Sequence, residues 1–234
     1  MAASSSSELD QSLPRLRSND PALASLDLTN NCIGQSGAIA LATALQHNST
    51  LTSLNLRYNN IGASGARVLA TALQHNSTLT SLNLYYNKIG DSGVSALSTA
   101  LQHNSSLTSL SLSYNNIGAS GATTLATALQ HNSSLTNLYL YGNKISASGT
   151  SALATALQFN YFLTNLDFIF PSELDNQVKD ILDRNKTNAV MKSCSLFELV
   201  LPNLCWEEGE EQAIDWPLGD DMFDEMWGAE NPFN

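Results

Sequence analysis

The sequence of 234 residues is poor in cysteine, in charged residues and in long apolar runs. Its three cysteines, Cys32, Cys194 and Cys205, are odd in number and lack the spacing of metal ligands. No run approaches the roughly 18 apolar residues of a membrane helix, so we expect no membrane insertion. The start, "MAASSSSELDQSLPRLRSND", shows no pattern of a secretory signal. These absences favour a reducing, cytoplasmic location.

Basic residues are absent from the last stretch of the sequence. Residues 206–234 carry ten acidic residues and no basic one, whereas residues 1–205 carry eleven acidic and ten basic residues. The net charge is therefore -10 for the tail and -1 for the rest, which argues against a nucleic-acid partner. Because acids alternate with aromatics there, we predict a disordered interaction segment that uses Trp216, Phe223 and Trp227.

A repeat of 28 residues fills most of the chain and predicts a solenoid. One copy, residues 51–78, reads "LTSLNLRYNNIGASGARVLATALQHNST". Its first part alternates, which predicts a short strand with Leu54 and Leu56 pointing inward. Its second part has apolar residues at helical spacing, which predicts a helix. The leucines that mark the period are Leu23, Leu51, Leu79, Leu107, Leu135 and Leu163.

Polar and small residues in each copy suggest how the turns are made. Asn59 can bond the backbone of its turn, and its equivalents would stack into a ladder of amides. Gly65 permits close packing of neighbouring copies. Ser64 is a candidate helix cap. The helix is expected to end around His75, with Asn76 in the left-handed cap conformation.

The phrase "LATALQHNST" and its near-copies contain every histidine of the chain, His47, His75, His103 and His131. Three interpretations are metal ligands, glycan acceptors and scaffolding. A straight row offers at most two imidazoles to one ion, whereas zinc needs three or four ligands. The Asn-x-Ser/Thr triplets matter only in a secreted chain. We therefore predict scaffolding, with no metal and no cofactor; the triplets begin at Asn48, Asn76, Asn104, Asn132 and Asn185.

The two ends of the repeat region depart from its pattern. Residues 1–22 predict an N-terminal segment with a capping half-repeat, and residues 23–185 predict repeats closed by a terminal cap. In the sixth copy Pro171 replaces the ladder asparagine, and a shortened helix capped by Ser172 is expected. Residues 186–205 suggest a degenerate repeat strand or, alternatively, a loop over the last core layer; the leucines at strand spacing are Leu196, Leu199 and Leu201.

The pattern LxxLxLxxNxI at this period resembles the leucine-rich repeats of the ribonuclease-inhibitor subtype. The resemblance covers residues 23 to about 170. It implies an α/β horseshoe solenoid, with a parallel sheet on the concave side and helices on the convex side.

Outward positions of the predicted strands differ between copies, and tyrosine recurs there. Tyrosine offers rigid area and a hydroxyl group at protein interfaces; it also simply suits exposed strand positions. We favour a monomeric, non-enzymatic module that binds a protein partner. The residues predicted to bind it are Asn55, Arg57, Tyr58, Asn83, Tyr85, Tyr86, Tyr114, Tyr139 and Tyr141.

Two other functions remain as alternatives. Repeats followed by an acidic tail resemble the Ran GTPase-activating protein, in which an arginine of a repeat loop matters, and Arg57 is the only arginine on the predicted concave side. The repeats also resemble those of NOD-like receptors, which would make the chain a ligand-sensing repeat fragment. No glycine-rich phosphate loop is present, so no ATP chemistry is expected.

Overall fold

The computed structural model describes the backbone of residues 8–200 and the side chains of residues 8–190. Strands and helices alternate along the chain, as the repeat predicts. The order is α1 (Glu8–Arg17), β1 (Ser25–Asp27), α2 (Gly34–Leu45), β2 (Ser53–Asn55), α3 (Gly62–Leu73), β3 (Ser81–Asn83), α4 (Gly90–Leu101), β4 (Ser109–Ser111), α5 (Ala119–His131), β5 (Asn137–Tyr139), α6 (Ala147–Phe159), β6 (Asn165–Asp167) and α7 (Ser172–Val200).

The six strands form one parallel sheet in chain order, β1 to β6. Each strand pairs with the next so that residues 28 apart lie side by side, as Leu54 does with Leu82. The central leucines of β1 to β5 are buried beneath the helices. Strands lie about 4.8 Å apart and packed helices about 8–10 Å apart. The stack therefore curves, with the sheet on the concave side, and the predicted α/β leucine-rich-repeat solenoid is confirmed.

The predicted asparagine ladder in the turns after the strands is also confirmed. The Oδ1 atom of Asn87 accepts hydrogen bonds from the backbone N–H groups of Asn59 and Ile61, at 3.1 and 3.2 Å. Its Nδ2 donates to Leu56 O at 2.7 Å and to Tyr85 O at 3.1 Å. Each amide thus satisfies the turn of the preceding repeat. The ladder consists of Asn31, Asn59, Asn87, Asn115 and Asn143.

The same turns begin the helices, and they correct a prediction about caps. Helix α3 begins at Gly62, so Ser64 lies inside the first turn and does not cap it. The Gly62 N–H instead bonds Asn87 O of the following repeat at 2.9 Å. The local signal is misleading because the next repeat satisfies the helix terminus.

A second asparagine ladder follows the helices, where a left-handed cap was predicted. Asn76 does not have a positive φ. Its side chain is buried and donates from Nδ2 to Leu45 O at 2.8 Å and Asn48 O at 2.9 Å. Its Oδ1 accepts the N–H of Leu79 at 2.8 Å. The left-handed cap was wrong because the amide side chain bonds the preceding helix end.

Glycine lets neighbouring repeats approach closely, as predicted for Gly65. A Cβ added at this residue would lie 2.5 Å from Ile61 Cγ2 and 3.1 Å from Ala38 Cβ of the preceding repeat. Such overlap with packed side chains is destabilising in a dense core. The repeated glycine therefore follows from packing.

At the start of the array, α1 packs two of its three leucines, Leu9 and Leu16, into the core. At the other end, the predicted shortened helix is wrong, because α7 has 29 residues. Its sequence contains no glycine or proline that would end it earlier. Pro171 O accepts the first helical hydrogen bonds, so Ser172 is the first helical residue and not the cap.

A seventh strand or a loop within residues 186–200 is likewise wrong, since Leu196 and Leu199 belong to α7. Their three-residue spacing fits a helix as well as a strand. Leu201 and the whole predicted tail, with Trp216, Phe223 and Trp227, lie outside the described residues.

The chain divides into two units, residues 1–193 and 194–234, and the solenoid belongs to the first. Of the second unit, only residues 194–200 are described; they are the last residues of α7. None of the helices within residues 8–200 combines the length and apolarity needed to cross a bilayer.

Candidate functional site

The histidine phrase builds the second asparagine ladder. All four histidines are exposed at the ends of their helices. The asparagine that follows each histidine is buried and bonded to the preceding repeat, which leaves no acceptor for a glycan. Asn185 of α7 closes the ladder by donating to Asn160 O at 3.0 Å. Within the described residues, no group of three or more histidine, cysteine or acidic side chains could hold a metal ion.

The predicted binding residues lie on the concave face, at the strand ends and in the turns that follow. Asn55 and Asn83 end β2 and β3, and Tyr139 ends β5. All three are half-buried. Two residues beyond β2, β3 and β5 come Arg57, Tyr85 and Tyr141, and Tyr58, Tyr86 and Tyr114 occupy the next position in their turns.

Five of these tyrosines form a continuous group of rings, which we call the tyrosine cluster: Tyr58, Tyr85, Tyr86, Tyr114 and Tyr141. The centroid of the Tyr85 ring lies 5.2 Å from that of Tyr58 and 5.1 Å from that of Tyr114. Tyr114 lies 5.5 Å from Tyr141 in an edge-on arrangement. Aromatic pairs attract at these separations, so the cluster is a rigid surface across the turns after β2 to β5.

The cluster remains open to solvent. Tyr58 and Tyr114 are 39% and 36% exposed, and Tyr86 and Tyr141 are 49% and 43% exposed. Isolated exposed aromatics are ordinary, but a contiguous group is typical of a binding surface. Sequence reasoning placed these residues on one face, and the structure adds the ring contacts between them.

Three members of the cluster have an unusual backbone. Tyr58, Tyr86 and Tyr114 have φ values of 57°, 54° and 56°. Bulky residues rarely adopt this left-handed conformation, which costs roughly 1–2 kcal/mol for an L-residue. Their N–H groups bond backbone oxygens of the next repeat, which holds the conformation in place.

Sequence reasoning missed this strain, although the residues at the same position of two other repeats indicate it. Asn30 and Gly142 stand there in the first and fifth repeats; both residue types tolerate a positive φ, and their φ values are 57° and 73°. Tyrosine therefore stands at three positions where asparagine or glycine would suit the backbone better. Strained residues that persist in this way are concentrated at functional sites.

The asparagines at the strand ends orient the turns that carry the cluster. Asn83 Oδ1 accepts the N–H of Tyr85 at 3.0 Å, and Asn55 Oδ1 accepts that of Arg57 at 3.3 Å. Asn55 also donates to Asp27 Oδ2 at 3.1 Å. Hydrogen bonds from Thr29, with a smaller contribution from Asn55, hold the pKa of Asp27 below its ordinary value. Asn55 and Asn83 thus have a structural role, beside any contact with a partner.

Arg57 lies against the tyrosine rings. Its guanidinium carbon is 4.6 Å from the centroid of the Tyr85 ring and 5.5 Å from that of Tyr58, which are cation–π distances. Its Nε is buried and has no hydrogen-bond partner within residues 8–190. Native structures rarely leave such a donor unsatisfied.

The tyrosine hydroxyls also interact with one another. A hydrogen bond with Tyr58, followed by partial burial, raises the pKa of Tyr85. Partial burial, followed by the interaction with Tyr141, raises the pKa of Tyr114. Both phenols therefore stay neutral and able to donate hydrogen bonds throughout the physiological pH range.

Two hollows adjoin the cluster. A groove of about 390 Å³ crosses the concave face; Arg57 and Tyr85 line it together with Ser109, Ser111 and Asp167. A hollow of about 660 Å³ at the end of the array is lined by Tyr141, Ile145, Phe168 and Ile169, among others. Phe170, which also lines this hollow, is largely buried, and its ring packs edge-on against that of Phe168 at a centroid distance of 4.8 Å.

These features define a leucine-rich-repeat protein whose concave face carries an exposed aromatic surface. Residues 5–121, half of the chain, match the model of the TMOD/LMOD Leucine-rich domain family, and residues 131–154 match that of a Leucine Rich repeat. The chain belongs to the TMOD/LMOD leucine-rich domain family. The prediction of leucine-rich repeats is thus confirmed, while the ribonuclease-inhibitor subtype stays a prediction.

Two solved structures share the fold. One is named "Leiomodin-1 Actin-Binding Site 2 (ABS2)", with a TM-score of 0.60, 21% identity, and coverage of 82% of this chain and 97% of that one. The other is the tropomodulin C-terminal domain of Caenorhabditis elegans, with a TM-score of 0.57, 16% identity, and coverage of 80% and 98%. In the comparison with curated proteins, no sequence matches this chain.

Proposed function

We propose that this chain is a non-enzymatic protein-binding module and that the tyrosine cluster is its contact surface. The observation that carries the proposal is the backbone of Tyr58, Tyr86 and Tyr114, since each holds a large exposed ring in a strained conformation. Folding alone does not require this, because Asn30 fills the same position in the first repeat. Tyrosine is one of the residues that dominate binding energies at protein interfaces.

The partner that we propose is actin. The chain belongs to the TMOD/LMOD leucine-rich domain family, and the leiomodin-1 structure that shares its fold is named as an actin-binding site. That structure is covered over 97% of its length, so the similarity extends over nearly the whole of that domain.

The alternative function, activation of a GTPase, would rest on Arg57. An arginine that acts in this way must reach the transferring phosphate. Here the guanidinium lies against the rings of Tyr58 and Tyr85. This arrangement supports recognition of a partner's surface more than entry into a nucleotide site.

The test is a binding measurement with purified actin, as monomer and as filament, and the full-length chain. The double variant Tyr86→Ala, Tyr114→Ala is expected to bind at least tenfold more weakly, because each interface anchor contributes about 1–2 kcal/mol or more. The matched control is His75→Gln, His103→Gln, which changes two exposed residues of the second and third repeats away from the cluster.

The control is expected to bind as the parent does. Failure of either form of actin to bind the parent chain would eliminate actin as the partner. Equal binding by the tyrosine variant and the control would eliminate the tyrosine cluster as the contact surface, even if actin binds.

A further inference from the structure

Arg57 is a cation without an ion-pair partner among the side chains of residues 8–190. None of the three ion pairs within residues 8–190 involves it, and its buried Nε has no hydrogen-bond partner there. An acid of the neighbouring strand, Asp27, is occupied by Thr29 and Asn55. Hydrogen bonds from Thr29 are the main cause of the lowered pKa of Asp27, Arg57 is the smallest one, and the two side chains make no ion pair.

The contacts that Arg57 does make fix its orientation. The rings of Tyr58 and Tyr85 lie next to the guanidinium, at centroid distances of 5.5 and 4.6 Å. Stacking against aromatic faces uses the flat side of the group, and because Nε is buried, the edge left for a partner is the one formed by the two terminal NH2 groups. That edge presents the forked set of donors which suits a carboxylate in bidentate geometry.

We propose that Arg57, held by these two tyrosines, binds a carboxylate side chain of the protein partner in the groove of the concave face. The inference rests on the proposed function, since it names the chemistry by which the same surface recognises its partner. An aspartate or glutamate of the partner would supply the counter-charge and acceptors that Arg57 lacks.

The charge along the groove limits what the partner segment can be. Among the described residues that line it, Arg57 is the only cation and Asp167 is the only anion. They belong to the second and sixth repeats, so four strand spacings, about 19 Å, separate them. An uninterrupted acidic run would be repelled at the Asp167 end. The groove therefore favours one carboxylate at the β2 end, followed by neutral or basic residues toward β6.

Hydroxyl groups between the two charges complete the site. Ser109 and Ser111 line the groove, and Tyr85 and Tyr141 border it. These groups can donate and accept hydrogen bonds. They can bond the backbone of a bound segment without adding charge, so the position of the carboxylate is set by Arg57 alone.

The decisive variants are Arg57→Gln and Arg67→Gln in the full-length chain, each measured for binding to actin. Arg67 is exposed on α3 of the same repeat, so both variants lose one positive charge. We expect Arg57→Gln to weaken binding at least tenfold and Arg67→Gln to change it less than twofold. Arg57→Lys should restore binding only in part, because an ammonium lacks the planar fork.

If actin binds the parent chain and both glutamine variants equally well, the inference is overturned and the proposed function stands. If actin does not bind the parent, the proposed partner is wrong, and a second measurement decides the inference. This is an NMR titration of the full-length chain with a blocked peptide that has one glutamate followed by leucine and serine residues, compared with the same peptide in which glutamine replaces the glutamate.

In that titration, the side-chain Nε–Hε resonance of Arg57 is expected to shift with the glutamate peptide and not with the glutamine peptide. The resonance of Arg67 serves as the internal control and should stay in place. Equal shifts with both peptides, or equal shifts at Arg57 and Arg67, would overturn the inference.

Discussion

The turns after the helices and the concave face of the sheet are built by the same 28-residue repeat, yet they use polar residues in opposite ways. In the turns, the phrase around His75 and His103 recurs almost letter for letter, and its asparagines are buried and bonded within the chain. On the concave face the letters change from repeat to repeat, Arg57 is half-buried without a hydrogen-bond partner for its Nε within residues 8–190, and most of the tyrosine cluster remains open. Exact repetition here marks residues that the fold requires, and variation marks those that it leaves available.

The largest expected effect comes from breaking the turns. Asn104→Ala removes the donor to Leu73 O, at 2.7 Å, and the acceptor of the Leu107 N–H, at 2.8 Å. Each buried group left without a partner costs about 1–3 kcal/mol, so we expect the free energy of unfolding to fall by about 2–5 kcal/mol. Chemical denaturation measures this change.

The comparison for Asn104→Ala is Ser105→Ala, the next residue in the same turn, which is exposed. It is expected to change stability by less than about 0.5 kcal/mol. A small effect of Asn104→Ala would show that water replaces the amide. The turn would then contribute no more to the free energy of unfolding than the concave face does.

The repeat, the strand face and the first asparagine ladder were all predictable from the sequence, because they depend on spacing alone. The caps were not. Ser64 and Asn76 have the right residue types for local caps, but neighbouring repeats supply the bonds that end the helices. The second ladder had one signal: Asn160 persists in "LQFN", where the histidine has been replaced by Phe159.

The candidate site was likewise predictable from the sequence only in part. The placement of Tyr58, Tyr86 and Tyr114 on one face follows from their spacing of 28 residues, which gives them the same position in successive repeats. Their ring contacts and the orientation of Arg57 depend on the curvature and side-chain angles of the stacked repeats, which spacing does not determine. The helix α7 was mispredicted because leucines three residues apart suit a helix and a strand alike.

Changing the concave face should separate binding from stability. Tyr86→Asn, Tyr114→Asn places at both positions the residue found at Asn30 of the first repeat, which shares their positive φ. The relieved backbone cost of roughly 1–2 kcal/mol at each of the two residues offsets much of the loss of five ring pairs, at about 0.5–1.5 kcal/mol per pair. We expect the free energy of unfolding to fall by about 2 kcal/mol or less, while binding weakens by about 1–2 kcal/mol per anchor.

Thermal unfolding and a binding assay on the same samples test this separation. The control is Tyr161→Asn. Tyr161 is an exposed tyrosine outside the cluster, and the guanidinium carbon of Arg184 lies 4.4 Å from the centroid of its ring. It should leave binding unchanged. A large loss of stability in the double variant would mean that the rings hold the repeats together, and the contrast between turn and face would fail.

The smallest effect is expected at the histidines. His75→Gln, His103→Gln alters exposed side chains at helix ends, next to asparagines that carry the buried hydrogen bonds. Phe159 occupies the same position in the fifth repeat, so the architecture does not need an imidazole there. A charged histidine at an exposed helix C-terminus contributes at most roughly 0.3–1 kcal/mol. We therefore expect the free energy of unfolding, measured by denaturation, and the free energy of binding to the protein partner to stay within about 0.5 kcal/mol of the parent.

A titration of the parent and the double variant with zinc tests whether the histidines bind a metal ion. Stoichiometric zinc binding that the double change abolishes would show that exact repetition in this chain can mark a site as well as a scaffold.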